Sequence, residues 1–125
     1  MKMERVFVFL GALGALSGVA LGAFGAHVLR GRLSAPMFEV YQTGIHYHLV
    51  HALGLVLVGC VARWLPDSRL VRAAGWLLAA GIVLFSGSLY GLALSGGMWL
   101  GFVTPFGGLC FLLGWGCLAV AALRA

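Results

Sequence analysis

The sequence predicts an all-α integral membrane protein folded as a single four-helix bundle. Three observations carry that prediction. Four apolar stretches, Val6–Val28, Val40–Ala62, Leu70–Leu94 and Leu100–Leu123, fill almost the whole of the 125-residue chain, and about 20 apolar residues suffice to cross the roughly 30 Å hydrocarbon core of a bilayer. Hydrophobic residues make up 62% of the chain and charged residues only 9%, against about 25% charged in soluble domains. The apolar residues run continuously instead of alternating, which suits helices rather than a transmembrane barrel. The connecting segments are too short for a soluble domain, so residues 1–125 form one unit.

The first span follows Lys2 and Arg5, as a signal peptide would, and Ala23-Phe24-Gly25-Ala26 offers small residues near its end. Its apolar run exceeds the 7–15 residues of a typical signal core, so a retained helix is expected. Gly11, Gly14, Gly18, Gly22 and Gly25 fall within about 80° of one another at 100° per residue, a single stripe along this helix. Lipid supplies no hydrophobic drive for helices to associate, so close backbone approach has to do it, and the stripe is expected to be a helix-packing face. It suits a neighbouring helix of the same chain, a second copy, or another membrane protein.

The second span begins with Ser34 as a helix cap and Pro36 in the first turn, both favourable there. From Pro36 to Val61 is about 40 Å of helix, more than the bilayer core needs. Pro36–Gln42 is therefore expected to lie at the interface, with a bend near Thr43-Gly44. The third span carries Gly75, Ala79 and Ser86 on one face and Gly81 and Ser88 nearly opposite, which predicts that it is the most enclosed helix. The fourth carries five glycines, with Pro105 in its first turns, where the missing amide costs nothing.

Four spans place both termini and the second loop on one side. That side holds Lys2, Arg5, Arg63, Arg69, Arg72 and Arg124, and the other holds only Arg30 and Arg32. Positive residues near span ends are retained inside, so both termini are expected in the cytoplasm. Their position at span ends also accounts for the net charge of +5 through lipid headgroups, and nucleic-acid binding is not expected. Cys60, Cys110 and Cys117 all lie within spans, without C-x-x-C spacing, and read as small buried hydrophobes.

Counting along the helices gathers the polar residues into one layer. His48 and His51 lie roughly 18–23 Å from Arg63 at 1.5 Å per residue. His27 ends the first span at similar height, as do Gln42, Ser86, Ser88, Tyr90 and Thr104. The expected site is thus an outer-facing polar layer of His27, Gln42, Tyr47, His48, His51, Ser86, Ser88, Tyr90 and Thr104. Gly44, Tyr47, His48 and His51 share one face, whereas His46 is about 140° from His51. His27, His51 and Tyr90 are expected in one connected cluster with His46 outside it. Ionisable residues in a membrane usually face the bundle interior or water. His27, His48 and His51 are candidate metal ligands, although H-x-x-H is a weak signal and imidazoles can equally bond carbonyls and hydroxyls of neighbouring helices. No cofactor is predicted.

The motifs Gly22-Ala23-Phe24-Gly25-Ala26-His27, Gln42-Thr43-Gly44 with Tyr47 and His51, and Leu84-Phe85-Ser86-Gly87-Ser88-Leu89-Tyr90 carry a resemblance, continued by Thr104-Pro105, Gly107-Gly108 and Gly114-Trp115. Together they resemble the domain-of-unknown-function 423 family of small four-span proteins, with bacterial members of the YgdD and YwdK types and mitochondrial relatives. The resemblance covers nearly the whole chain and implies an inner-membrane location; it brings no biochemical activity. His27 and His51 belong to it more firmly than His48.

Three function classes remain. The polar layer suits a protein that binds or translocates a small molecule, ion or lipid headgroup. Glycine seams and small size suit a structural or assembly subunit of a larger membrane complex. A metal- or haem-dependent redox protein would need ligands beyond the histidines. No Ser-His-Asp set, phosphate loop or paired carboxylate is present, so catalysis is not expected. The lipid bilayer is the one partner the composition demands.

Overall fold

A computed structural model describes residues 2–125. Helix α1 spans Met3–Phe24 and continues through a π-helical turn, Gly25–Leu29. Helix α2 runs Ala35–Trp64. The third span is α3, Arg69–Gly81, then a second π-helical turn, Ile82–Ser86, then α4, Gly87–Ser95. A 3-10 turn, Met98–Phe102, leads into α5, Thr104–Arg124. Four helical stretches, Met3–Leu29, Ala35–Trp64, Arg69–Ser95 and Met98–Arg124, are long and apolar enough to cross a membrane.

Local chemistry explains the boundaries. Ser34 Oγ accepts the amide of Met37 at 3.3 Å, and Pro36 sits in the first turn of α2, as the sequence predicts. Ser68 caps α3 in the same way, accepting from Val71 at 3.2 Å. Helix α4 stops at Gly96, whose φ of 72° lies in the left-handed region that glycine alone enters without steric cost. Pro105 occupies the first turn of α5.

Three expectations are corrected by the structure. Helix α2 runs through Pro36–Gln42 and Thr43-Gly44 without interruption. Its first turns do not form a separate interfacial segment, because Tyr41 is buried, at 1% exposure, and its hydroxyl donates to the Leu21 carbonyl of α1. The second span, not the third, is the most enclosed: half of an apolar 18-residue stretch within it is buried, against a third for the third span. The cysteines also differ from expectation, since Cys60 is exposed and Cys110 and Cys117 are only partly covered.

Helix α1 packs mainly on α2, and α3 mainly on α5, with α2 against the third span joining the two pairs. Every glycine of the α1 stripe faces α2. A Cβ on Gly11 would sit 2.7 Å from the Ala52 carbonyl and the Val56 amide; on Gly18 it would meet Leu49 at 2.6 Å. The seam is reciprocal, because Gly59 of α2 leaves no room for a Cβ against Val8 and the Glu4 carbonyl. Near-contact of backbones is how helices gain van der Waals energy in lipid. The stripe is therefore consumed inside the chain.

The core has two apolar parts. Phe7, Leu55, Val58, Ala62, Val71, Ala74, Leu78, Phe111 and Ala121 form the larger, toward the termini. Leu29, Tyr41, Ile45 and Ala93 form the smaller, toward the opposite end. On α2 the buried residues His48 and His51 stand between these parts.

Candidate functional site

The polar layer divides into separate hydrogen-bonded groups. His48, buried on α2, places Nδ1 2.8 Å from the Tyr90 hydroxyl of α4 and Nε2 3.2 Å from Ser17 Oγ of α1. Ser17 itself donates to the Gly14 carbonyl at 3.0 Å. A hydroxyl has one proton to give. With that proton spent on Gly14, Ser17 must accept from His48, so Nε2 carries the hydrogen and Nδ1 accepts from Tyr90. The chain of donors reads Tyr90 to His48 to Ser17 to Gly14, and it ties three spans together. Gly18 gives His48 the room, since a Cβ there would meet its Cδ2 at 3.3 Å, and Gly44 does the same for the Tyr90 ring.

His51 is placed differently. Its Nδ1 lies 2.7 Å from the Tyr47 carbonyl one turn earlier on its own helix. A carbonyl oxygen can only accept, so here Nδ1 carries the hydrogen and the neutral ring leaves Nε2 with a free lone pair. The ring is stacked on Phe111, with centroids 3.6 Å apart and planes 11° apart. Nε2 has no hydrogen-bond partner among the described residues. No side-chain nitrogen or oxygen of a buried or half-buried residue there is both enclosed and unpartnered. Nε2 therefore opens to adjoining space.

That space is a cleft of about 580 Å³ between α2, the third span and α5, lined by Tyr47, His51, Phe85, Pro105, Gly108, Leu109, Phe111, Leu112 and Trp115. Tyr47 packs on Phe85 with ring centroids 4.6 Å apart. The π-helical turn at Ile82–Ser86 shapes this wall. One extra residue in a turn rotates the rest of the helix by about 100°. Phe85 thereby borders the cleft, while Ser86 points into the bundle and donates to the Gly44 carbonyl at 2.7 Å. Such turns occur often at functional sites. Gly107 lets the Phe85 backbone approach α5 closely, and Ser88 meets Thr104 at 2.6 Å just beyond.

The predicted residues thus fall into distinct places. His48 and Tyr90 share one network; Tyr47 and His51 border the cleft; Ser86, Ser88 and Thr104 staple helices. His27 is exposed on the first π-helical turn and does not join His51 and Tyr90. Gln42 lies in a shallow hollow on the outer face of α2 with Phe38, Glu39, Thr43, His46 and Tyr47. His46 stays outside the His48 network, as its angle on the helix predicts. The three-histidine metal set does not assemble: His48 and His51 turn to opposite neighbours, and among the described residues no three His, Cys, Asp or Glu side chains converge on one point. The layer also sits near the middle of α2, with the smaller apolar core between His48 and the end of the bundle away from the termini, so its opening is lateral. Sequence reasoning missed Ser17, although it lies beside Gly14 and Gly18 on the glycine stripe. It also missed Phe85, Phe111 and Trp115 as walls of the cleft, since aromatic rings within a span read as packing or as an interfacial belt.

Comparison with known proteins bears on nearly the whole chain. The family described as "Protein of unknown function (DUF423)" matches residues 21–108. The UPF0382 membrane protein YwdK of Bacillus subtilis is 48% identical over 120 residues, covering 96% of this chain and 98% of that protein. A UPF0382 membrane protein of Staphylococcus epidermidis is 46% identical over 120 residues, covering 96% of this chain and 97% of its own length. Another, from Staphylococcus haemolyticus, is 43% identical over the same length. No solved structure matches.

Proposed function

The chain belongs to the DUF423 family of membrane proteins, and from that premise we propose that it binds a small membrane-dissolved molecule through the lateral cleft at His51. One observation carries this reading. A side chain only 5% exposed keeps an unpartnered acceptor beside a cleft walled by aromatic rings. An unmet polar group at that depth costs about 1–3 kcal/mol unless something fills it. A mostly apolar pocket with few convergent polar groups is the usual form of a small-molecule site. Translocation through the bundle fits less well, because apolar cores flank the polar layer on both sides. The structural-subunit reading loses its main support, because the glycine stripe of α1 is spent on α2.

The test is to fill the cleft. A Cβ on Gly108 would meet only the Phe85 ring, at 3.9 Å, so Gly108→Leu should occupy the space without disturbing backbone packing. Native mass spectrometry of gently extracted protein should show a bound small molecule on the parent chain and none on Gly108→Leu. Equal occupancy of the two, or none on either, would reject the reading.

The same proposal places the protein in the inner, cytoplasmic membrane with both termini in the cytoplasm, on the distribution of its eight basic residues. A cysteine placed at Gly97, in a background without Cys60, Cys110 and Cys117, should react with a membrane-impermeant reagent in intact cells. One at Ser68 should not. The reverse pattern would invert the orientation.

A further inference from the structure

We propose that the cleft selects a neutral, largely apolar molecule that presents a hydroxyl group to His51 Nε2. This rests on the binding reading above and deepens it by naming the ligand's chemistry. The hydrogen bond on the other side of the ring sets the requirement. The Tyr47 carbonyl, 2.7 Å from Nδ1, can only accept, so it holds the proton on Nδ1 and leaves Nε2 as an acceptor. An acceptor needs a donor. A ketone, ester or ether has no proton to offer it, whereas an alcohol or phenol does.

Charge is excluded by the surroundings. The cleft lining contains no carboxylate, lysine or arginine to neutralise an ion, and an unpaired charge at membrane depth is costly. Size excludes a single water as the whole occupant. The cleft holds about 580 Å³, whereas a water takes about 30 Å³, and most of the remaining lining is apolar. The rings of Tyr47, Phe85, Phe111 and Trp115 and the side chain of Leu112 therefore suit hydrocarbon. The Tyr47 hydroxyl and the Trp115 indole N–H are the other polar groups of the lining, and His51 Nε2 is its one side-chain acceptor without a proton of its own. Lateral opening gives such a molecule a route from the bilayer without crossing water.

Two photoreactive probes test this: dodecanol carrying a mid-chain diazirine, and the methyl ether of the same compound. Each is incorporated into phosphatidylcholine vesicles containing the full chain, and cross-linked peptides are quantified by mass spectrometry. Labelling at the cleft is normalised to labelling near Leu16, an exposed apolar position on α1. The alcohol should label the cleft about fivefold more than the ether, the ratio expected from one net hydrogen bond. His51→Phe should bring that ratio to about one, and His51→Gln, whose carboxamide oxygen restores an acceptor, should recover part of it.

The outcomes separate the two ideas. If both probes are enriched in the cleft to the same degree, binding stands and the hydroxyl selection is wrong. If neither exceeds labelling near Leu16, both fail. A preference that survives His51→Phe also overturns the assignment to His51. Should His51→Phe fail to fold, nitrogen NMR decides in the parent chain: the Nε2 resonance of His51 must shift with the alcohol and stay still with the ether. Movement with both, or with neither, overturns the inference.

Discussion

His48 and His51 stand three residues apart on the same helix, about 60° around its axis, and meet opposite fates. His48 faces the α1 seam and α4, where both ring nitrogens are occupied and the flanking glycines bring backbones close. His51 faces α5, where one nitrogen is tied to its own helix and the other opens on a cleft. The difference teaches that burial alone does not separate structure from function in this protein. Both residues are about equally buried, at 6% and 5% exposure. What separates them is whether the second nitrogen finds a partner within the chain. One side of α2 is closed and structural, and the other is unfinished.

The largest effect that would break this contrast lies in the closed seam. Gly11→Leu should destabilise by about 3 kcal/mol, the upper end of overpacking costs, because its Cβ would press on the Ala52 and Val56 backbones, which cannot rotate away. Gly22→Ala on the same stripe should be neutral or slightly stabilising, since its nearest neighbour, Ile45, lies at an ordinary 3.5 Å and alanine favours helix by up to about 1 kcal/mol. Unfolding in lipid nanodiscs measures both. A seam that tolerates Gly11→Leu is not closed.

Next comes the histidine pair itself. His48→Leu removes two inter-helix hydrogen bonds, including the one to the Tyr90 hydroxyl, for an expected loss of about 1–3 kcal/mol. His51→Phe should lose less than about 1 kcal/mol, because an intra-helix bond disappears while the ring stack on Phe111 persists. Equal losses would erase the distinction between the two faces.

The smallest effect is the sharpest test of the hydrogen-bond logic. Nitrogen NMR of histidine-labelled protein should find neutral His48 protonated on Nε2 and neutral His51 protonated on Nδ1. Identical tautomers at the two positions would show that at least one of the two hydrogen-bond chains is wrongly drawn.

Much of the fold is legible in the residues alone. The four spans, the Ser34 cap, the position of Pro105 and the packing role of the glycine stripe all come from local pattern. The bend expected near Thr43-Gly44 does not form: α2 is continuous there, and Tyr41, one turn earlier, packs its ring against Gly25 in the π-helical turn that ends the first span. At the site, the exclusion of His46 is readable from angles on a helix. The divergence of His48 from His51 is not, and neither is the loss of His27 from the cluster. Ideal helical counting assumes 3.6 residues per turn, and the π-helical turns at Gly25–Leu29 and Ile82–Ser86 break that assumption where the polar residues lie.

The sequence by itself determined that this chain is a four-span membrane bundle with its basic residues gathered at the ends of the spans. Each span must satisfy its own backbone hydrogen bonds in lipid, so about 20 apolar residues specify it without reference to the others. Only the tertiary structure decided which imidazole is closed and which is open. His48 meets a hydroxyl 42 residues away, and His51 meets the ring of Phe111 on the last helix. Those meetings depend on the rotation of whole helices about their axes, which is set by glycine contacts and π-helical turns acting together and is written in no single stretch of residues.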